Sequence, residues 1–361
     1  MKKRKRNDVI NSGLDQVLGV KTKMKIFQNA PYWFILPLAI IFIALVCGTI
    51  YSQTGNKYDG FANVGVDFKG GTVLTVEMTG IKSGDKNKAV DSMLDIITAE
   101  GLQVTSNQSS GSNIVIIRYP NSVIRADGSI ENLNTTDKTP QMLTINSSLE
   151  DKITLMLTND YGADKDITAN AELINATASS DLIKKAALSV GIALAIMLIY
   201  TAIRFDFFSG LSALIMQVND IIIMMALVII FRVQINSAII AGLITIVAYS
   251  INNTLLIFDR IRSNSAIVKT QNLKFIPGEL VDLSVTQSLT RMVFSSITTL
   301  LTISILAMMG VRALTEFALP IIFGILSGLY SSLFLAPSIW GTLMTLKLNR
   351  TPKKFKTAKR R

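Results

Sequence analysis

Six stretches of the chain stay apolar for about the 20 residues that a membrane-crossing helix needs. They lie near 31–51, 184–203, 208–230, 237–258, 288–309 and 316–340, and one long gap, 52–183, separates the first from the second. Inside that gap the period changes. GTVLTVEM from position 71 alternates apolar and polar residues, the pattern of a half-buried strand. Residues 86–100 place Ala89, Met93, Ile96 and Ile97 at helical spacing. Two strand-like pieces follow, 102–108 and 113–119, split by a Gly-Ser turn at 109–112. Residues 120–140, rich in Asn, Asp, Thr and Pro, read as a long loop; 143–158 fit a second helix and 166–175 a last strand. The order β-α-β-β-α-β predicts a ferredoxin-like arrangement. The expected fold is therefore an α-helical polytopic membrane protein with six transmembrane helices. An α+β ferredoxin-like extracytoplasmic domain lies between helices 1 and 2.

Composition agrees. Of 361 residues, 49% are hydrophobic and 17% charged, which excludes an ordinary soluble globular chain. The first apolar run is too long for a signal-peptide core, starts far from Met1 and lacks a small-residue cleavage site, so it reads as an uncleaved anchor.

Charge then sets the orientation. The N-tail (1–30) opens MKKRKR, and the C-tail (341–361) contains KLNRTPKKFKTAKRR. Basic flanks stay on the cytoplasmic side, so both termini are expected there, at the cell membrane, which six spans permit. The 259–287 loop, with Arg260, Arg262, Lys269 and Lys274, falls on the same side. The short loops 231–236 and 310–315 fall outside. Residues 52–183 hold 10 basic and 17 acidic residues, a net of −7, whereas the whole chain carries +11. The basic excess is thus a topology signal that also suits anionic membrane lipid. A nucleic-acid partner is not expected, because the one large folded domain outside the membrane is acidic.

Single residues narrow the chemistry. There is one cysteine, Cys47, and no histidine. An internal disulfide, a Ser-His-Asp triad and the usual zinc sites are thereby excluded. VGVDFKGGT at 64–72 puts Gly70 and Gly71 where a turn or a close backbone approach is needed. It lacks the longer glycine pattern of a phosphate loop. Two readings stand for Asp67, Phe68, Gly70 and Gly71: a turn that starts the domain, or a junction coupling domain position to the membrane helices.

Asp220 has about 12 residues of its span on either side, roughly 18 Å at the helical rise, and so lies near mid-membrane. A carboxylate there must face protein or water. It marks an ion path or serves as a hydrogen-bond anchor between helices. Arg291 stands about one turn inside the fifth span, where a snorkelling role is the plain alternative. Beyond it Ser295, Thr298, Thr299 and Thr302 recur at three- and four-residue spacing. In YSINNTLLIFDRIR (249–262), Tyr249 and Asn253 share one helix face, and Ser250 and Thr254 another. Asn252 lies between them, and Asp259, Arg260 and Arg262 form the charged helix end. Asn253 and Arg291 come at similar depth, which predicts a buried polar cluster within the bundle.

DFKGG at 67–71, YSINNTLLIFDRIR at 249–262 and SLTRMVFSSITTLL at 288–301, in that order, resemble the SecF family of Sec translocase accessory subunits. The resemblance covers about 60–350. It implies a non-enzymatic membrane subunit without cofactor or metal, related to the resistance-nodulation-division superfamily. It implies as partners SecD, the SecYEG channel and exported polypeptides. It also implies a role in late steps of export driven by a proton or sodium gradient. The family pattern in the fourth span is Y-S-x-N-D-T; here Asn253 stands at the Asp position, and an amide carries no proton. The family's HD-like pair in the third span corresponds to Asn219-Asp220, and its fifth-span arginine to Arg291. Three arrangements follow. Asp220 carries the ion step with Arg291 as counter-charge; SecD supplies the carboxylate; or the chain is an ion-uncoupled scaffold. Two other classes compete, a small-molecule exporter of the same superfamily and a membrane-embedded hydrolase. For the hydrolase, the chain shows no second carboxylate or metal-ligand set near Asp220.

Overall fold

The computed structural model describes residues 25–53, 60–82, 84–110, 113–125, 129–133, 138–161, 169–174, 176–272, 276–309 and 312–350. Among these, six helical stretches are long and apolar enough to cross a membrane. The first consists of a short helix α1 (Ala30–Trp33) running into α2 (Ile35–Gln53). It turns Leu36, Leu38, Phe42, Ile43, Leu45 and Ile50 outward, as a helix against lipid does.

The α+β domain begins with a single turn, α3 (Val66–Lys69), then β1 (Gly71–Glu77), α4 (Lys86–Ala99), β2 (Ser106–Ser110) and β3 (Ile114–Tyr119). A short hairpin of β4 (Ser122–Ile124) and β5 (Ile130–Asn132) follows, then α5 (Thr139–Tyr161) and β6 (Ala169–Ile174). The main sheet has the order β2-β3-β1-β6 with every pair antiparallel. Leu74 and Val76 of β1 and Val115, Ile117 and Tyr119 of β3 point to one face. There they meet Ala89, Met93 and Ile97 of α4 and Met142, Leu149 and Ile153 of α5. Burial of these apolar side chains removes the need for a disulfide. The stretch 120–140, expected as one loop, contains β4 and β5; three-residue strands are too short to show an alternating pattern.

The remaining spans are α6 (Ala176–Arg204), α7 (Phe207–Ile230), α8 (Ser237–Thr270) and α9 (Pro277–Met308). The last is α10 (Arg312–Tyr330), a π-helical turn at Ser331–Leu335 and α11 (Ala336–Arg350), continuous with one another. The helix starts follow local chemistry. Asp206 accepts from Ser209 N at 2.5 Å and Asn236 from Ala238 N at 3.1 Å, both N-caps. Pro277 opens α9, where its missing N–H costs nothing. Between α7 and α8 Arg232 takes a positive φ of 57°, which makes the connection tight. The connection expected at 259–287 is mostly helix. Ile261, Asn264 and Val268 keep a buried face going on α8. Asn264 Nδ2 donates to Ser284 Oγ and to Gln287 Oε1, both at 2.9 Å, which joins α8 to α9 beyond the apolar run.

Candidate functional site

Asp220 is fully buried in the middle of α7, and its carboxylate accepts three serine hydroxyls. Ser327 Oγ of α10 donates to Oδ1 at 2.8 Å. Ser331 Oγ, in the π turn, donates to Oδ2 at 2.8 Å, and Ser250 Oγ of α8 donates to the same oxygen at 2.5 Å. A π turn shifts the register by one residue, and such turns recur at functional positions. Here Ser331 reaches Asp220 while Ser332 reaches Thr254 Oγ1 of α8 at 2.8 Å. A carboxylate at the bilayer centre costs about 2.5–3.5 kcal/mol on insertion scales. Hydrogen bonds to a charged group recover about 1.5–3 kcal/mol each. Hydroxyls can thus hold this group without a cation beside it.

The fourth-span motif divides between two surfaces. Ser250, Asn253 and Thr254 are buried. Asn253 Nδ2 donates to Ser296 Oγ of α9 at 3.3 Å, while its Oδ1 has no partner among the described residues. Tyr249 Oη donates to Thr299 Oγ1 at 3.2 Å, with Ser295 O at 3.4 Å. These contacts are the polar helix interface the spacing predicts. Asn252, Arg291 and Thr298 are different: all three are exposed on the outside of the bundle. Thr298 Oγ1 turns back to Ser295 O at 2.8 Å, leaving Asn252 and Arg291 with no described partner. The cluster expected to unite Arg291 with Asn253 is therefore not formed within this chain. Among the described residues no ion pair joins Arg291 to Asp220. The reason is helical geometry: on α9 Arg291 lies five positions, about 140°, around from the buried Ser296 that meets Asn253, and on α8 Asn252 lies one position, about 100°, from the buried Asn253.

The DFKGG segment meets the connection between α7 and α8. Asp67 Oδ2 accepts from Ser237 N at 2.8 Å, at the first turn of α8. Gly65 N donates to Ile235 O at 2.8 Å and Ile235 N to Asn63 O at 2.7 Å, a one-residue parallel bridge between Val64 and Ile235. Arg232 Nη1 donates to Gly60 O at 3.0 Å. Gly70 has φ 78° and sends its N–H to Val66 O, closing the turn. At Gly71 a Cβ would stand 2.7 Å from Tyr119 O, so only glycine lets β1 start there. Phe68 is half-buried beside them. At the charged end of α8, Arg262 Nη1 donates to Arg204 O at 2.9 Å, tying α8 to the end of α6. Asp259 and Arg260 are exposed.

Sequence reasoning missed Ser327, Ser331 and Ser332. The run SGLYSS at 327–332 was the available signal, with Ser331 four and Ser332 five residues after Ser327 in an apolar helix. It also missed Asp282, whose Oδ1 accepts Phe27 N at 2.8 Å. The Phe27 ring lies where a Cβ on Gly278 or Gly341 would be, 2.5 and 2.7 Å from it. Trp33 stacks on Phe334 at 4.3 Å and donates Nε1 to Ile26 O. Among the described residues no three His, Cys, Asp or Glu side chains cluster as a metal site would require.

Against known proteins, the family described as protein export membrane protein SecD/SecF, C-terminal, matches residues 154–346. Protein translocase subunit SecF of Helicobacter pylori is 27% identical over 306 residues, 84% of this chain and 82% of that one. SecF of Rickettsia prowazekii is 28% identical over 324 residues, 90% of this chain and 91% of that one. The crystal structure of SecDF, a translocon-associated membrane protein from Thermus thermophilus, superposes with TM-score 0.61 and 24% identity. That match takes in 91% of this chain and 39% of the SecDF chain, so the present chain corresponds to well under half of the larger molecule.

Proposed function

The chain belongs to the SecD/SecF family of protein export membrane proteins, and from that premise we propose that it is an accessory subunit of the Sec protein translocase. It works with SecD beside the SecYEG channel and promotes late steps of export of unfolded polypeptides. An ion gradient, of protons or sodium, drives it. Both basic tails lie in the cytoplasm, and the α+β domain, read as ferredoxin-like, lies on the far side of the membrane. No step in this function requires catalytic chemistry.

The observation that carries the ion-driven reading is Asp220. It is a carboxylate at the centre of a spanning helix, fully buried and surrounded by three hydroxyls. Its environment changes with its charge: ionised, it holds α7, α8 and α10 together through three charge-assisted bonds. Neutralised by a bound ion, it holds them less strongly. Each elementary charge that crosses the membrane supplies about 2.3 kcal/mol per 100 mV, enough to bias two arrangements of the helices by tens of fold. Asn253, an amide, takes no part in titration. The exposed Asn252 and Arg291 support the partner. Against lipid the asparagine finds no partner and the arginine must snorkel, whereas a second set of spans with a carboxylate opposite Arg291 would cover both.

The test is export in cells carrying Asp220→Asn, with expression and complex assembly verified. The appearance of one secreted protein is followed with the gradient intact and collapsed. Slow export that no longer responds to the gradient is expected. An unchanged response would make Asp220 a structural anchor, with the coupling carboxylate either in SecD or absent and the chain then an ion-uncoupled scaffold.

A further inference from the structure

Along the whole membrane α8 and α10 lie side by side and parallel, and contacts recur at each level. At the end facing the α+β domain, Asn236 Nδ2 donates to Glu316 Oε2 at 2.8 Å. Glu316 is buried there, only 7% exposed. Further along, a Cβ on Gly242 would meet Ile321 and Pro320. One on Gly324 would overlap Ile246, and one on Gly328 would press on Ser250. Gly324 and Gly328 form a small-xxx-small pair, which lets two helix backbones approach closely. Below Asp220 the Thr254–Ser332 hydrogen bond closes the series. The two helices also share a load. Asp220 is held by Ser250 from α8 and by Ser327 and Ser331 from α10 and the π turn after it.

The same α8 is gripped at its start. Asp67 of the α+β domain accepts from Ser237 N, and the Asn236 side chain caps Ala238 N while bonding Glu316. Two carboxylates from different parts of the molecule thus converge on one helix N-terminus, where the macrodipole favours negative charge. Thirteen residues separate Ser237 from Ser250, a rise of about 20 Å of continuous helix.

We infer that α8 and α10 move as one rigid body, that Glu316 is the positioning residue fixing its domain end, and that this body carries a displacement at Asp220 to Asp67 and so to the α+β domain. The inference rests on Asp220 being the ion-responsive carboxylate. Close-packed elements shift as units rather than deforming. A carboxylate that bonds both helices therefore acts on the pair, not on one of them. Glu316 contributes as an acceptor for Asn236. A glutamine at that position still offers Asn236 an acceptor oxygen, though without the charge, whereas leucine offers none.

Two measurements on the assembled translocase in native membranes test this. In the first, Glu316→Leu is expected to lower the gradient-dependent part of export by about fivefold or more and to leave export with the gradient collapsed unchanged. Glu316→Gln restores the response. A full response in the leucine variant, or failure of glutamine to rescue it, overturns the role of Glu316. In the second, Gly242→Cys and Ile321→Cys are combined with Cys47→Ala and oxidised to lock α8 to α10. The pair is expected to cross-link, and export with its gradient response to continue as in the reduced sample. A locked complex that stalls and recovers on reduction would show that the helices slide past each other. A pair that does not cross-link would place them apart. Either result overturns the one-body inference. Asp220→Asn measured alongside separates the two levels. If it keeps its gradient response, the reading of Asp220 fails. If it loses the response while the locked complex stalls, only the one-body inference fails.

Discussion

Gly328 of α10 lies against Ser250 of α8 so closely that a Cβ on the glycine would stand 3.0 Å from Ser250 Cβ and 3.1 Å from its Oγ. That hydroxyl is also the donor to Asp220 Oδ2. One missing methyl group therefore sets the position of a side chain that holds the buried carboxylate.

Gly328→Ala is accordingly expected to destabilise the bundle by about 1–3 kcal/mol, the usual cost of overpacking. Ser250 must yield, and its hydroxyl is the one that holds Asp220 Oδ2. Ser250→Gly makes room for the new methyl group. The double variant Ser250→Gly/Gly328→Ala should therefore lose less than the sum of the two single changes. Thermal unfolding of the purified chain in detergent checks this. Strict additivity would mean that the glycine does not act through Ser250.

In the α+β domain Tyr119 Oη donates to Asn146 Oδ1 at 3.1 Å, and Asn146 Nδ2 donates to Thr72 Oγ1 at 3.2 Å. Burial pushes the Tyr119 phenol above its ordinary value of 10.0, with the charge of Glu150 adding to the shift and the Thr72 hydrogen bond opposing it. The folded state thus keeps the proton where the unfolded chain releases it. Stability is full below about pH 10 and falls as the pH rises above it. Amide exchange of α5 in the whole protein should accelerate in that alkaline range. In Tyr119→Phe this added pH dependence should vanish, at a cost of about 1–3 kcal/mol from the stranded Asn146 acceptor. An alkaline slope that survives in the phenylalanine variant would assign it to another group.

The Asp282–Phe27 hydrogen bond fastens the segment before the first span to the start of α9 and, through the Phe27 ring, to α11. Asp282→Ala leaves the Phe27 N–H without its acceptor and should loosen the segment. Asp282→Asn retains an acceptor oxygen and should behave nearly as the parent. Trypsin cleavage after Lys25, which is exposed and adjoins the fastened segment, should speed up in the alanine variant alone. Equal rates in all three chains would show that the Phe27 ring, not the carboxylate, holds the segment.

What the sequence makes legible follows from how local each signal is. The six spans rest on runs of apolar residues, and β1 and β3 on strict alternation, so the pattern alone locates them. Asp220 is conspicuous because lipid tolerates no lone carboxylate. Its partners are not, since serine in a spanning helix usually signals plain packing. The π turn that brings Ser331 to Asp220 leaves no periodic trace. Asp282 is invisible for a different reason: its partner is a backbone amide 255 residues away. Arg291 was expected inside because depth along the chain is readable. The direction in which a side chain leaves a helix, with polar residues on several faces, is not.

Asn252 and Arg291 give the last prediction. Both are exposed on the bundle surface, while Asn253, the next residue after Asn252, is fully buried against Ser296. In lipid an exposed asparagine has no partner and an arginine must snorkel; against a second bundle each can bond. Asn252→Leu should therefore make the isolated chain more stable in lipid vesicles and weaken its co-purification with the membrane partner. Arg291→Gln should weaken co-purification as well, by about 2–5 kcal/mol if a buried carboxylate of the partner is left unpaired. The opposite-charge test is decisive. An acidic residue of the partner that faces Arg291, changed to its amide, should lose no more binding in the Arg291→Gln chain than the single change already lost. If neither substitution alters assembly, this stripe faces lipid or water, and the partner docks elsewhere.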